Sequence, residues 1–413
     1  MTIAILHYSV PPVVGGVESV IAHHARLMSA DGHSVRLIAA RGESLNANIP
    51  LTIMPLVDSR HERVAEMKEE LDRGEATDKF ELMRHALVDQ LEIALADVEV
   101  LIVHNVCSLN KNLALTAALH QLHISNRLPR LILWHHDLAW TTARYLPELH
   151  SGYPWDLLRT DWGNTTHVVI SALRRAELAG LMQIHPDSIH VIPNGVDAAR
   201  FYKLESQTQT LLEQTKLLDA APILLLPVRV TPRKNIELAL RTLAELQKQF
   251  PNAALVVTGP LGPHNVKNIE YFEMLKGLRL KLGLQDSAHF LAELVNSFLP
   301  DEVIADFYRV ADALFFPSRE EGFGIPLIEA AFAHLPAFCA DIPALREIGI
   351  NDATFFSPDE DPAKIANSMI AFLRSSSSAR LSMHARFSFR WEVIYHQHIA
   401  PLLSIGETHA KAP

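Results

Sequence analysis

Apolar residues fall into two alternating kinds of run along this chain. Short apolar stretches recur, unbroken but for Glu99 in the second: Ile3 to Leu6, Val98 to Val103, Leu131 to Trp134, Val168 to Ile170, Ile223 to Leu226, Ala254 to Val257, Ala313 to Phe316 and Ala337 to Ala340. Runs of that length, bounded by polar or turn residues, predict buried strands. Between them lie stretches with helical spacing, near 18–30, 112–123, 172–181, 236–249, 266–282, 301–310, 362–373 and 389–403. Strand and helix in regular succession predict βαβ units and the α/β class. The first unit is a strand from Ile3 to Tyr8, a loop holding Gly15-Gly16, a helix ended by Gly32, and a second strand. Residues 57–98 are so densely charged that they predict one or two solvent-facing helices.

Length and composition narrow this picture. The chain has 413 residues, too many for one ordinary domain, and 48% are hydrophobic, enough for two cores. No apolar run approaches the ~18 residues of a membrane span. The start, Met1 to Leu6, lacks a basic leader and reads as a first strand. The two cysteines, Cys107 and Cys339, lie by apolar segments and read as reduced core thiols of a cytoplasmic protein. There is no C-x-x-C, and the 22 histidines are scattered, so no metal cluster is expected. A net charge of −10 repels nucleic acid, which is not expected as a partner.

The stretch richest in chemistry runs from Phe315 to Ala330. A strand ends at Pro317-Ser318. Gly322 and Gly324 then form a loop that lets a ligand approach the backbone, and Pro326 stands at the start of a helix. Free amides at such a helix mouth favour an anion, typically phosphate. Glu321 and Glu329 bracket the loop; carboxylates accept hydrogen bonds in pairs, which suits vicinal sugar hydroxyls. A plainer role for Glu329 is to complement the helix dipole. Two further cations stand at comparable places: Arg229 at the tip of the strand Ile223 to Val228, and Lys234 just before a helix. Cations there suit an anionic ligand. Asp359-Glu360-Asp361 has the spacing of a metal-binding motif, but it opens a helix at Pro362 and reads as an N-cap.

The stretch Glu321-Gly322-Phe323-Gly324-Ile325-Pro326-Leu327-Ile328-Glu329 resembles the E-x7-E signature of the retaining family 4 glycosyltransferases. The resemblance implies a GT-B fold: two Rossmann-like α/β domains facing across a cleft, with a C-terminal helix crossing back to the N-terminal domain. The expected division is 1–198 for the acceptor-side domain, 199–220 for a linker, 221–386 for the nucleotide-sugar domain and 387–405 for the crossing helix. The residues from Gly406 onward are read as a disordered end. Arg229 and Lys234 resemble the family's R-x4-K, which grips the donor diphosphate. His136-Asp137 resembles its His-Asp pair, with His136 near the donor sugar and His135 a satisfied loop group. Gly16 resembles the glycine that approaches the donor phosphates. Ala292-Glu293-Leu294 matches the segment that meets the nucleotide base.

What the resemblance implies is transfer of a hexosyl group, with retention, from a UDP-, GDP- or ADP-hexose to a hydroxyl of a glycan, lipid-linked or small-molecule acceptor. Catalysis would fall to His136, Arg229, Lys234 and Glu321. Donor binding would fall to Gly16, Arg229, Lys234, Leu294, Glu321, Gly322, Phe323, Gly324, Ile325 and Glu329. The nucleotide sugar is a co-substrate; no cofactor or metal is required. The protein would act as a monomer or homodimer in the cytoplasm, with peripheral docking at the inner membrane left open. Other readings on the same fold are a nucleotide-sugar epimerase, a sugar phosphorylase, or a non-catalytic nucleotide-sugar sensor.

Overall fold

The structure is a computed structural model that describes residues 1–261, 266–295 and 298–404, residue 266 by its backbone only. The loop expected between residues 261 and 266, but for its two ends, and the tail from Gly406 lie outside the described residues. The chain divides into two compact units. One holds residues 1–195 together with the C-terminal segment from Trp391; the other holds Val196–Arg390.

The first unit is a parallel sheet of seven strands: β1 (Thr2–Leu6), β2 (Ser34–Ala39), β3 (Leu51–Ile53), β4 (Val100–His104), β5 (Arg130–His135), β6 (Thr166–Val169) and β7 (Ile189–Val191). Their order is β3-β2-β1-β4-β5-β6-β7. The short apolar runs are strands because the sheet is buried on both faces, and alternate residues go to opposite cores. Ala4, Leu6, Leu101, Val103, Leu131 and Leu133 join one cluster; Ile3, Ile5, Val100, Ile102, Ile132 and Trp134 join the other. β1 ends at Leu6, two residues earlier than the sequence pattern predicts, so His7 and Tyr8 stand beyond the strand.

The helix Gly16–Ala30 covers the second face with Ile21, Ala25 and Met28. Trp391, Ile394, Tyr395, Ile399, Leu402 and Leu403 of the C-terminal segment pack into the same cluster. That segment is helical from Trp391 to Ser404, with a π-helical turn at Tyr395–Ile399. It is tied down by polar contacts too: Tyr395 Oη donates to Asp31 Oδ2 at 2.7 Å, and Arg130 donates to the carbonyls of Leu402 and Leu403 at 2.7 and 2.8 Å.

The helices Glu62–Asp72 and Asp78–Leu95 are not simply solvent-facing, as their charge suggested. Phe80, Met83, Leu87, Leu91 and Leu95 form a buried stripe at helical spacing, and Val64, Met67 and Leu71 do the same on the shorter helix. High charge density hid an amphipathic pattern.

The second unit repeats the plan with six parallel strands: β8 (Ile223–Leu226), β9 (Ala254–Val257), β10 (Ala288–Phe290), β11 (Ala313–Phe316), β12 (Ala337–Ala340) and β13 (Thr354–Phe356), in the order β10-β9-β8-β11-β12-β13. Residues 199–220, whose polarity suggested a connection, carry the helix Ser206–Thr215 and place Leu204, Leu211, Leu212 and Leu217 in this unit's core. Cys107 and Cys339 are free and buried. Among the described residues, no helix is long and apolar enough to cross a membrane.

Candidate active site

In each unit the strand order reverses direction beside the first strand, between β1 and β4 and between β8 and β11. Open parallel sheets bind ligands at the carboxyl ends of strands at such a reversal. Gly16 follows β1, Arg229 and Lys234 follow β8, and Glu321 follows β11; His136 follows β5 and Leu294 follows the edge strand β10.

In the second unit, the chain leaving β8 carries Arg229, and a single 3-10 turn, Pro232–Lys234, delivers Lys234. The chain leaving β11 carries Glu321. Lys234 Nζ donates to Glu321 Oε1 in a buried ion pair; the two side chains are only 10% and 9% exposed. Burial is the largest influence on Lys234 and lowers its pKa; Glu321 opposes this, while Arg233 and Arg229 lower it further. Arg229 is exposed and lies 5.8 Å from the Phe298 ring centroid. Beneath the pair, Asn235 sits at φ +54° and its Nδ2 donates to the carbonyls of Pro317 and Pro358 at 3.1 and 2.9 Å. Thr231 Oγ1, Asn235 Oδ1 and Ser318 Oγ are buried without a partner among the described residues.

The glycine loop is shaped by one obligate position. Gly324 has φ +107°, and a Cβ there would come within 2.4 Å of Leu345 Cδ2. Side chains are strained in that backbone region, and the neighbour closes the space as well. Gly322 meets nothing within 4 Å. Phe323 and Ile325 are more than half exposed despite being apolar. Among the described residues, the amides of Gly322 to Ile325 have no protein acceptor. The helix Ile325–Phe332 then starts, with Pro326 in its first turn. Unpaired amides at this helix mouth are suited to a phosphate group.

Glu329 is engaged elsewhere. Its Oε2 accepts from Tyr308 Oη at 2.6 Å, and it lines an open cavity of about 700 Å³ with Tyr308, Asp301 and Arg309. Burial and the adjacent carboxylate push the Tyr308 hydroxyl well above its usual range, so it remains a donor. The structure therefore joins Lys234 directly to Glu321 and gives Glu329 a different partner. Sequence reasoning missed Tyr308. The one available signal was a tyrosine on the buried stripe of an amphipathic helix, whose hydroxyl needs an acceptor. Leu294 ends the 3-10 turn Leu291–Glu293 and is about half exposed, while the neighbouring Glu293 is held by Arg279 at 2.6 and 2.8 Å. Asp361 caps the helix Pro362–Ser375, accepting from the Ala363 amide at 3.0 Å.

In the first unit, His136 follows β5 and is buried. Asn105, at φ +57°, shapes this corner: its Oδ1 accepts from the His136 and Asp137 amides at 2.7 and 3.1 Å. His136 Nε2 lies 3.0 Å from His104 Nδ1. His7 Nδ1 lies 2.8 Å from the His104 carbonyl, which can only accept, so His7 carries its proton on Nδ1. His24 packs against the Trp134 and His104 rings, and neither of its nitrogens has a partner among the described residues. Burial keeps these rings neutral. It pulls the pKa of His136 and of His24 down to about 3 and that of His7 to about 4, with neighbouring histidines adding to the effect on His136 and His24. His135 pairs instead with His167, at 3.1 Å. Gly16 begins its helix, and a Cβ there would meet no protein atom within 4 Å. The fold does not need glycine at that point, and the space beside it is open.

Two family models match consecutive parts of the chain. Glycosyltransferase Family 4 matches residues 14–200, and Glycosyl transferases group 1 matches residues 207–387. The chain is similar to mannosylglucosylglycerate synthase of Petrotoga mobilis, 29% identical over 279 residues, 61% of each protein. It is 26% identical to mannosylglucosylglycerate synthase of Thermotoga maritima over 388 residues, 86% of each. It is 28% identical to a D-inositol 3-phosphate glycosyltransferase of Frankia alni over 221 residues, 51% of each. The match thus spans just over half of two of these relatives and most of the third. Among solved structures, sucrose-phosphate synthase from Thermosynechococcus elongatus aligns over the whole of both chains at 17% identity with a TM-score of 0.37.

Proposed function

Since the chain belongs to the group 1, family 4 glycosyltransferases, we propose that it moves a hexosyl group from a nucleoside-diphosphate hexose to a hydroxyl acceptor, with retention at the anomeric carbon. The observation that carries this reading is the Lys234–Glu321 pair beside a glycine loop whose amides have no protein acceptor among the described residues. An ammonium and unpaired amides suit a diphosphate, and the carboxylate held beside them suits sugar hydroxyls.

In this reading the bond from the anomeric carbon to the diphosphate oxygen breaks, and its electrons leave with the diphosphate. The acceptor oxygen bonds to the same face of that carbon, and its proton passes to the departing phosphate. Arg229, Lys234 and the amides at Gly324 and Ile325 stabilise the charge that develops on the leaving group. Glu321 holds donor hydroxyls, and Glu329, steadied by Tyr308, binds the ribose. Gly16 and His136 are proposed as donor contacts from the first unit, and the segment ending at Leu294 as the contact for the base. These cations and amides make a metal ion unnecessary in the proposed step. Two free buried thiols fit action in the reducing cytoplasm.

The test is to incubate the full chain with radiolabelled UDP-, GDP- and ADP-hexoses, alone and with hydroxyl acceptors, with and without EDTA. Label should move to an acceptor with its anomeric configuration kept, unaffected by the chelator. Isomerised donor, or binding without turnover for every donor, would overturn the reading. A donor that binds the native state should also raise the melting temperature.

A further inference from the structure

The first unit holds a polar cavity of about 310 Å³ whose lining is rich in cations. It opens where His7, Tyr8 and Ser9 leave β1, Arg41 follows β2, and Lys111 follows β4. These are the carboxyl ends of three adjacent strands at the reversal of strand order, where a parallel sheet binds its ligand. Arg41, Arg60, Lys68 and Lys111 line it against a single lining carboxylate, Glu18.

The cations differ in how far their charge is already matched. Lys68 is paired with Asp72 and Glu148 at 2.5 and 2.9 Å, and Arg41 with Asp58 at 2.7 Å. Arg60 and Lys111 form no ion pair among the described residues. Asp58 fixes the Arg60 backbone by accepting its amide at 2.9 Å. Lys111 Nζ stands 5.7 Å from the Tyr8 ring centroid, and the Tyr8 hydroxyl is buried without a partner among the described residues. Burial lowers the Lys111 pKa, and Arg144 and Arg60 lower it further against the pull of Asp137 and Glu18. The half-buried ammonium thus feels Asp137 and Glu18 more strongly than the two guanidinium groups, yet it closes no ion pair with either carboxylate among the described residues. A planar fork and a point charge together suit a carboxylate or a phosphate monoester.

We infer that this cavity binds an anionic group on the acceptor, a carboxylate or a phosphate monoester, through Arg60 and Lys111. The inference rests on the proposed transferase reading and narrows its acceptor to a small acidic hydroxyl compound. The cavity is also linked to the histidine cluster. His7 lines it and bonds the His104 carbonyl, and the His104 ring lies 3.0 Å from His136. The anion would thereby be held within two side chains of the residue proposed to meet the donor sugar.

The test is calorimetric titration of the full chain with glycerate, glycerol 3-phosphate and glycerol, repeated on the double variant Arg60→Gln/Lys111→Gln. Nucleoside diphosphates, which are assigned to the second unit, serve as the reference ligand. Either acid should bind where glycerol does not, and should weaken as salt is raised. The double variant should lose at least about tenfold of that affinity, which corresponds to about 1.4 kcal/mol, and bind nucleoside diphosphate within about twofold of wild type. Preference between the two acids decides carboxylate or phosphate. Equal binding of glycerol, no binding of either acid, or acid binding unchanged in the double variant overturns the inference. Nucleotide binding without acid binding would sink this site alone; the reverse would sink the donor reading and leave the anion site standing.

Discussion

Lys234 and Glu321 meet as a buried ion pair although 87 residues separate them, one leaving β8 and the other leaving the adjacent β11. Both are also the residues assigned to the donor. Removing one partner leaves a charge buried without compensation, which costs about 3–5 kcal/mol. Lys234→Ala and Glu321→Gln should each cut turnover at least ~100-fold, the scale of losing a contact to transition-state charge. Lys234→Ala should also lower the urea midpoint more than Glu321→Gln, because glutamine keeps an acceptor for the ammonium. The double variant Lys234→Met/Glu321→Leu should recover stability and remain inactive. Wild-type turnover in both single variants would remove the basis of the functional proposal.

The Tyr308 hydroxyl fixes the orientation of Glu329. Tyr308→Phe keeps the ring in the core and deletes one hydrogen bond to a carboxylate, an interaction of about 1.5–3 kcal/mol. Affinity for the nucleoside diphosphate should fall roughly tenfold by calorimetry, and the urea midpoint should fall only by the worth of that one bond. A large loss of stability without a change in affinity would make Tyr308 a packing residue only.

At Gly324 the backbone and a neighbour act together. Gly324→Ala forces a side chain into a left-handed conformation and against Leu345, with an expected loss of about 1–3 kcal/mol. Turnover should fall with it, because the amides beside this residue are the ones proposed to face the donor phosphates. By contrast, Gly322→Ala meets open space and should leave the stability measured by urea unfolding within about 0.5 kcal/mol of wild type.

The histidine cluster predicts an acid-sensitive fold. His7, His24 and His136 have folded pKa values near 4, 3 and 3, below the ordinary 6.5. Between pH 6.5 and those values the unfolded chain takes up protons that the folded chain refuses. Stability from these groups is therefore complete above pH 6.5 and is lost as pH falls towards 4. His24→Phe removes a ring whose nitrogens bond nothing among the described residues. It should match or exceed wild-type stability at pH 7 and lose about 1–2 kcal/mol less between pH 7 and pH 5, measured by urea unfolding.

Much of this was visible in the sequence, for identifiable reasons. A sheet buried on both faces turns each strand into an unbroken apolar run, so most strands announced themselves. The glycine loop was legible because its residues lie together, and Asp361 was legible as a cap because caps are local. Pairings across the sheet were not. Lys234 with Glu321 depends on strand order, and Tyr308 with Glu329 on how the helices before and after β11 pack; spacing along the chain carries no record of either. The charge on the helices Glu62–Asp72 and Asp78–Leu95 outweighed their apolar stripe to the eye. The cation-lined cavity escaped notice because its residues come from widely separated turns, each unremarkable by itself.

The helix beginning at Trp391 belongs to the core of the first unit, yet it is the last described element of the chain. During synthesis, the face of the sheet that receives Trp391, Tyr395 and Leu402 must wait while nearly two hundred residues of the other unit, Val196–Arg390, are made. The nascent first unit would therefore leave the ribosome with an uncovered apolar surface, a natural site for a chaperone. A stop codon shortly before Trp391 would damage the half of the protein made first.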